Sequence, residues 1–289
     1  MRDRKLIQMY ITNMCNSMCK TCSIWKNKER QELLLEQIKK IVEPFKESAD
    51  FVVGGGEAIL HSDIENVLSY LKSSNANYTL LSNCIMNERL KDLIFKYDVK
   101  NVTVSFDGIY HDEIRGTAKA KNKEKIIDFV EWAKRNYVNF KLSYTFSCYN
   151  EKSFLKDMDF IKSLGIDKVY FCLAQNMDLL KTGTDDVVAQ NLKEILERKS
   201  MLFEKDLNFI TNLIEGKKKK CDSQTTVFTV YSDGSLVRCQ SYLSKDVICN
   251  VNNCSKEQLQ YIIENNKKIT CPYDDVCNLL CQRRYDNVR

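Results

Sequence analysis

The sequence predicts an α/β protein: a partial (βα)6 barrel of the TIM type, followed by a small cysteine-rich C-terminal domain. Short β-like runs alternate with longer amphipathic helical patterns from residue 6 to about residue 175, as in repeated βα units around a parallel sheet. Only two prolines and nine glycines interrupt the chain, so regular structure should be dense. Seven of the thirteen cysteines lie after residue 220, where apolar periodicity is weak.

Six strands are predicted in the barrel region. In the first helical segment, Leu34, Ile38 and Ile41 fall on one face. Ser62 with Glu65 predicts a capping box at the start of the second helix. Six strands are few for a closed barrel, so right-handed crossovers predict an open barrel or a doubly wound sheet, and both bind ligands at the carboxyl ends of strands. The predicted strands span residues 6–12, 50–53, 78–82, 101–106, 140–147 and 168–173.

The last third of the chain has a different pattern. Residues 178–212 look helical and polar, and the four lysines at 217–220 are typical of a solvated connector. From residue 226 a hairpin pattern around Asp233-Gly234 leads into the cysteine-rich part. We therefore expect a barrel domain at residues 1–180, a helical linker at 181–220 and a domain at 221–289 that metal clusters stabilise.

Composition excludes several classes of protein. Hydrophobic residues make up 44% and charged residues 29%, which is ordinary for a globular protein and excludes a disordered one. Lys and Arg exceed Asp and Glu by 44 − 39 = 5, too few to favour nucleic acid or a membrane surface as a partner. No apolar run approaches the roughly 18 to 20 residues that span a bilayer, and the N-terminus lacks a signal-peptide layout. We expect a cytoplasmic protein.

Three cysteines gather directly after the first strand, at Cys15, Cys19 and Cys22. Disulfides are rare in the reducing cytoplasm, so these thiols point to metal ligation or thiol chemistry. A structural zinc site usually has four ligands, and the two histidines, His61 and His111, are far away in sequence. A [4Fe-4S] cluster held by three cysteines instead leaves one iron open for a non-protein ligand. The count of three favours such a cluster.

This Cys-x3-Cys-x2-Cys spacing after the first strand of a βα array resembles the radical S-adenosylmethionine (radical SAM) superfamily. A second motif supports the resemblance, because Gly54-Gly55-Gly56-Glu57 closes the second strand and is similar to the family's Gly-Gly-Glu-Pro. Ala58 stands in place of the proline. The resemblance covers residues 6–175, and it implies that Gly55, Gly56 and Glu57 hold the methionine amino group of SAM.

The fourth strand carries a further likeness. Ser-x-Asp-Gly at residues 105–108 and His-Asp-x-x-Arg at 111–115 are similar to a pattern of radical SAM peptide-modifying enzymes. By that likeness Ser105 and Arg115 bind the methionine carboxylate, since a guanidinium pairs bidentately with a carboxylate. The alternative is a turn-forming Asp-Gly and a surface arginine.

The resemblance implies a mechanism. An electron donor such as flavodoxin or ferredoxin reduces the cluster, SAM is cleaved, and the 5′-deoxyadenosyl radical abstracts hydrogen from a substrate carbon. The substrate is expected to be a peptide that is crosslinked, epimerised or oxidised. Because the first strand begins at Leu6, which leaves little room for a leader-recognition domain, the rival expectation is a dehydrogenase of a small sugar-type alcohol. A non-catalytic iron-sulfur or zinc-binding regulatory protein is the third alternative.

The cysteines of the tail are similar in spacing to the SPASM extension of radical SAM enzymes, which houses auxiliary [4Fe-4S] clusters. Seven ligands cannot fill two four-cysteine clusters, so one or two auxiliary clusters are possible, and a zinc ribbon is a further alternative. The preferred division places one set on a cluster near the barrel and the other on an outer cluster. The inner set is Cys221, Cys239 and Cys281, and the outer set is Cys249, Cys254, Cys271 and Cys277.

Three cysteines belong to neither group. Cys84 and Cys148 sit at predicted strand ends, where either thiol could donate a hydrogen atom to a substrate radical. Cys172 lies within an apolar strand, and we interpret it as a structural core residue.

Overall fold

The computed structural model describes residues 4–166, 169–174, 223–238 and 246–267. These residues contain nine strands. All six strands predicted for the barrel region are confirmed, and their ends shift by at most two residues. The strands are β1 (Lys5–Thr12), β2 (Ala49–Gly55), β3 (Tyr78–Ser82), β4 (Asn101–Ser105), β5 (Asn139–Phe146), β6 (Val169–Leu173), β7 (Val227–Val230), β8 (Ser235–Val237) and β9 (Val247–Asn250).

The strands form one sheet in the order β6-β5-β4-β3-β2-β1-β7-β8-β9. From β1 to β6 each strand pairs in parallel with the next one along the chain. Because this order never reverses, the sheet is the open barrel and not the doubly wound alternative. The carboxyl ends of these six strands lie at one edge, which is where the predicted site residues follow them.

Strand β7 was not foreseen as a neighbour of the barrel. It pairs in parallel with β1, with Leu6 opposite Val227 and Met9 opposite Val230. The predicted hairpin is confirmed, because β7 pairs antiparallel with β8. The strand that precedes the cysteine loop is therefore flanked on both sides. The division into three domains stays a prediction, and residues 178–212 lie outside the described residues.

Helices cover the outer face of the sheet. On α1 the side chains of Ile38 and Ile41 are fully buried, as their spacing predicts. Within the described residues, no helix combines the length and the apolar character needed to cross a bilayer. The helices are α1 (Leu35–Val42), α2 (Ile64–Ser73), α3 (Asn87–Tyr97), α4 (His111–Arg115), α5 (Asn122–Arg135), α6 (Phe154–Ser163), α7 (Ser223–Thr226) and α8 (Lys256–Glu264).

Two details of the helix prediction are wrong. Leu34 is not on the buried face, since it precedes α1 as the N-cap and is 68% exposed. Ser62 does not cap α2, because the helix begins one residue later, after Asp63. Its hydroxyl and its backbone N–H both donate to the carboxylate of Glu32. A tertiary contact has thus replaced the local cap.

The two faces of the sheet differ in chemistry. On β5, Leu142 and Tyr144 are fully buried against the helices, whereas Lys141 and Ser143 line a cavity on the inner face. This alternation follows from the two-residue period of a strand.

Candidate functional site

The cysteine loop after β1 is fastened to the C-terminal end of α4. The Ser17 hydroxyl and the Met18 N–H both donate to the Arg115 carbonyl, at 2.9 and 3.0 Å. The Lys20 N–H donates to the Ile114 carbonyl at 2.8 Å. The loop and the helix that follows β4 therefore hold each other in place.

The three thiols of this loop differ in exposure. Cys19 is buried, Cys15 is half-buried and Cys22 is exposed. The Trp25 indole N–H donates to the carbonyls of Cys19 and Cys22, at 3.1 and 2.9 Å, which closes the loop into a compact turn. Burial raises the pKa of the Cys15 thiol to about 11. The surrounding loop atoms partly desolvate the Cys22 sulfur and raise its pKa as well, although the residue as a whole is exposed. Both are neutral thiols at pH 7 unless a bound metal withdraws the proton.

Three soft thiol donors in one loop fit an iron-sulfur cluster. Among the described residues, no three Cys, His, Asp or Glu side chains converge tightly enough to hold one metal ion. A zinc ion would need every sulfur at about 2.3 Å. The cysteine ligands of a [4Fe-4S] cluster bind different irons, so they stand further apart, and soft thiolates suit iron and sulfide.

The glycines at the end of β2 let that strand end lie against the cysteine loop. A Cβ on Gly55, where φ is +130°, would stand 2.2 Å from the Thr12 carbonyl oxygen. A Cβ on Gly56 would stand 2.2 Å from the Met14 carbonyl oxygen. In the space that glycine leaves, the N–H groups of Gly56 and Glu57 donate to Thr12 and Met14, both at 2.8 Å. These glycines therefore shape the loop.

Glu57 carries a buried carboxyl group, at 1% exposure. Its Oε1 accepts from the Ser82 hydroxyl at 2.8 Å, and its Oε2 accepts from the Asn83 N–H at 2.6 Å. Burial raises the pKa of Glu57 to about 7, although both hydrogen bonds lower it. A nearby ammonium group would favour the charged form, which suits the predicted role in binding an amino group.

Asn83 connects three parts of the site, and sequence reasoning gave it no role. Its side-chain Nδ2 donates to the Asn16 side chain at 2.8 Å and lies 3.9 Å from the Cys15 sulfur. Its carbonyl accepts from the Asn122 side chain at 2.8 Å. The end of β3 is thus tied both to the cysteine loop and to α5.

Arg115 is not a surface arginine. Its Nε donates to Asp107 Oδ2 at 2.7 Å and its Nη2 donates to Oδ1 at 3.1 Å, while Asp107 is fully buried. The third nitrogen, Nη1, lies 4.0 Å from the Cys19 sulfur. Burial lowers the pKa of Arg115, but the Asp107 carboxylate and the Cys19 thiol more than reverse this, so the guanidinium stays charged.

Ser105 does not lie beside Arg115. It is on the inner face of β4. It pairs in register with Ser143 of β5, and both line the cavity. His111 is buried next to the ion pair, where its Nδ1 accepts from the Asp107 N–H at 3.1 Å. Burial lowers the pKa of His111 to about 4, so the ring is neutral, and its Nε2 lies 3.1 Å from the Asn122 side chain.

The cysteines proposed as hydrogen donors stand in different surroundings. Cys84 is fully buried in the hydrophobic core at a φ of +62°, which does not favour contact with a substrate. Cys148 is half-buried in the turn after β5. Cys172, interpreted as core from the sequence, is half-buried, with its sulfur 3.8 Å from the Ser143 hydroxyl of the inner face. Along β6, Tyr170 and Cys172 alternate with two more apolar residues. This alternation was the sequence signal for the inner-face position of Cys172.

Two tail cysteines are described, and they lie side by side. Burial raises the pKa of Cys249 to about 12, and the adjoining Cys254 thiol adds to the rise. Lys40 of α1 donates to the carbonyls of Val251 and Cys254, at 2.9 and 2.8 Å, so the pair is fixed to the barrel. Their assignment to an outer cluster stays a prediction. The other tail ligands lie outside the described residues: Cys221, Cys239, Cys271, Cys277 and Cys281.

Comparison with known proteins identifies relatives. A family model described as the radical SAM superfamily matches residues 9–161. The radical SAM cyclopropyl synthase TigE from Paramaledivibacter caminithermalis is 24% identical, over 98% of this chain and 70% of TigE.

Two solved structures have a similar fold. SuiB from Streptococcus suis, bound to its precursor peptide SuiA, has a TM-score of 0.69 at 14% identity, over 91% of this chain. The chain spans 65% of the SuiB structure. The enzyme anSMEcpe, with bound AdoMet and a peptide, has a TM-score of 0.66 at 19% identity, over 94% of this chain and 87% of that one.

Proposed function

The chain belongs to the radical SAM superfamily, and we propose that it acts on a peptide by abstracting hydrogen from one of its carbons. The family implies a [4Fe-4S] cluster and SAM as cofactors. When bound, these two groups supply a carbon-centred radical that is reactive enough to abstract hydrogen from an unactivated carbon. The chain's own residues bind and orient them.

Cys15, Cys19 and Cys22 are the proposed cluster ligands. The observation that carries this proposal is the fastening of their loop to α4, which sets Nη1 of Arg115 4.0 Å from the Cys19 sulfur. A fixed cation beside the thiolates partly offsets their negative charge and favours the deprotonated form.

Glu57 and Arg115 are the proposed contacts for the methionine part of SAM. Glu57 offers a carboxylate that an ammonium group would keep ionised, and Ser82 and Asn83 hold it in one orientation. Arg115 has two nitrogens engaged by Asp107, which leaves Nη1 to donate to a carboxylate. Ser105, on the inner face of β4, is a further proposed contact of SAM. Gly55 and Gly56 contribute by letting the loop approach.

A peptide is the proposed substrate because two structural neighbours carry peptides. SuiB is bound to a precursor peptide, and anSMEcpe is bound to AdoMet and a peptide. Crosslinking, epimerisation and oxidation are all compatible with hydrogen abstraction. A small-molecule dehydrogenase is the second candidate, since the cavity of about 360 Å³ falls in the size range of small-ligand sites. A short precursor-peptide gene beside this one would favour the peptide.

An external electron donor and auxiliary clusters complete the proposal. A flavodoxin or ferredoxin would deliver the electron, and the exposed Cys22 is the cluster ligand nearest to solvent. The adjoining Cys249 and Cys254 would share an auxiliary cluster with ligands from the remaining tail cysteines.

Anaerobic reconstitution with iron and sulfide tests the proposal. Incubation with SAM and dithionite should release 5′-deoxyadenosine from the wild-type protein and not from Cys22→Ala. Ser23→Ala is the matched control, because this exposed neighbour in the same loop is not a ligand. Absence of 5′-deoxyadenosine from wild-type protein with a full iron content would contradict the proposal.

A further inference from the structure

The inner face of the sheet borders a cavity of about 360 Å³. Its middle layer is formed by Leu81 of β3, Thr103 of β4 and Lys141 of β5, which are neighbours in register. The next layer toward the carboxyl edge pairs Ser105 with Ser143. A lysine and several hydroxyl groups thus occupy adjacent strands inside the barrel.

This lining is not built for packing. The interior of a TIM-type barrel is usually filled by Val, Ile and Leu side chains. Here the Lys141 ammonium has no hydrogen bond or ion pair with any described residue, and neither the Thr103 nor the Ser105 hydroxyl has a hydrogen-bond partner among them. All three groups keep their donors for a ligand or for water.

The cavity lining has one carboxylate and one ammonium group, and only the ammonium lacks an ion partner among the described residues. Asp50 is the second charged residue of its lining. Its carboxylate accepts from Arg4 at 3.2 Å and from Asn77 at 2.6 Å, so its charge is already balanced. Lys141 therefore supplies the unbalanced charge of the lining.

We propose that Lys141, flanked by the hydroxyls of Thr103 and Ser143, binds a carboxylate of the substrate inside this cavity. The inference rests on the proposed function, since it names the chemistry of the molecule that the enzyme modifies. One ammonium with neutral hydroxyls matches a single negative charge. A phosphate would call for an arginine fork or several cations, and the lining has neither.

The position of Lys141 also sets the distance between the carboxylate of the substrate and its reacting carbon. Lys141 lies five residues before Phe146, the last residue of β5. At roughly 3.3 Å per residue, this is about 16 Å from the edge where the cysteine loop lies. The carboxylate is thus an anchor remote from the reacting carbon, which an acidic residue of a peptide or an elongated organic acid can provide.

Binding of defined probes tests the subsite on the full-length reconstituted protein with SAM. The probes are the peptide Gly-Gly-Glu-Gly-Gly with blocked termini, its glutamine counterpart, and glutarate, each titrated by ligand-observed NMR. Wild-type protein should bind at least one carboxylate probe more tightly than the glutamine peptide. Lys141→Gln should weaken carboxylate binding by about three- to tenfold and leave the glutamine peptide unchanged. Lys141→Arg should retain carboxylate binding.

Lys156→Gln is the matched control, because this lysine is exposed like Lys141 but lies on α6 and does not line the cavity. The subsite is overturned if Lys156→Gln weakens binding as much as Lys141→Gln, if Lys141→Gln changes nothing, or if neither carboxylate probe binds wild-type protein saturably. Tighter binding of the glutamate peptide assigns the carboxylate to a peptide, and tighter binding of glutarate assigns it to a small acid; both support the subsite. Release of 5′-deoxyadenosine from the wild-type preparation is measured in parallel, and its absence would count against the proposed function and not against the subsite.

Discussion

Arg115 and Asp107 form a buried bidentate ion pair directly beside the cysteine loop, with Nε–Oδ2 and Nη2–Oδ1 distances of 2.7 and 3.1 Å. The Asp107 Oδ1 also accepts from the Thr145 N–H at 2.9 Å, which links β4 to β5. The pair therefore aims the arginine at the thiols and joins two strands at the carboxyl edge.

Asp107→Asn should destabilise the protein by about 3–5 kcal/mol, because it leaves the Arg115 charge buried without its partner. The free energy of unfolding in urea measures this. Asp98→Asn is the control, since Asp98 pairs with Lys100 at the surface and its loss should cost far less than the loss of the buried pair. Equal effects of the two changes would contradict the importance of the buried pair.

Gly56→Ala should prevent the cysteine loop from taking its place. The new Cβ would stand 2.2 Å from the Met14 carbonyl oxygen, so backbone has to move. We expect a loss of about 2 kcal/mol or more in stability and a lower iron content after reconstitution. Gly54→Ala is the milder comparison, because its Cβ meets only the end of the Leu81 side chain, at 3.0 Å. The expectation fails if both variants take up iron like the wild type.

Glu57 should make the cluster-free protein less stable as the pH rises. Its pKa is about 7 in the folded chain and about 4.5 in the unfolded chain, so the folded state binds the extra proton between these values. Stability from this group is complete below about pH 4.5 and is lost as the pH passes 7, a change on the order of 3 kcal/mol. Glu57→Gln should remove that slope in urea unfolding from pH 5 to 8. The exposed Glu65→Gln should keep it, and an unchanged slope in Glu57→Gln would refute the assignment.

Cys148→Ala tests the proposed hydrogen donor. If Cys148 quenches a substrate radical, the variant should still release 5′-deoxyadenosine while losing the product, measured by mass spectrometry. Cys84→Ala should instead act on stability, because its thiol is enclosed in the core. Unchanged product from Cys148→Ala would exclude the role.

Much of the architecture could be predicted from the sequence because it depends on local patterns. The six strands follow from short apolar runs, and the cysteine loop follows from the spacing of its three thiols. The errors lie where a distant partner decides. Ser62 binds Glu32 in place of capping its own helix, and no local pattern indicates that Asp107 turns back to hold Arg115.

The inner face could be predicted only in part, because it too depends on residues that are distant in sequence. Alternation along β5 distinguishes Lys141 and Ser143 from their buried neighbours, but the pattern alone does not say which face borders a cavity. Cys172 was misinterpreted because Tyr170 and Cys172 differ little in polarity from the apolar residues with which they alternate, so the period is weak. The pairing of β7 with β1 joins segments more than 200 residues apart, and sequence periodicity carries no information about such partners.

The pairing of β7 with β1 can form only late in synthesis. Strand β1 is made first, but one of its edges stays open until the ribosome has added residues 227–230. At about 5–20 residues per second, the delay is roughly 10 to 45 seconds. During this time an apolar strand next to three reactive thiols is exposed to other nascent chains.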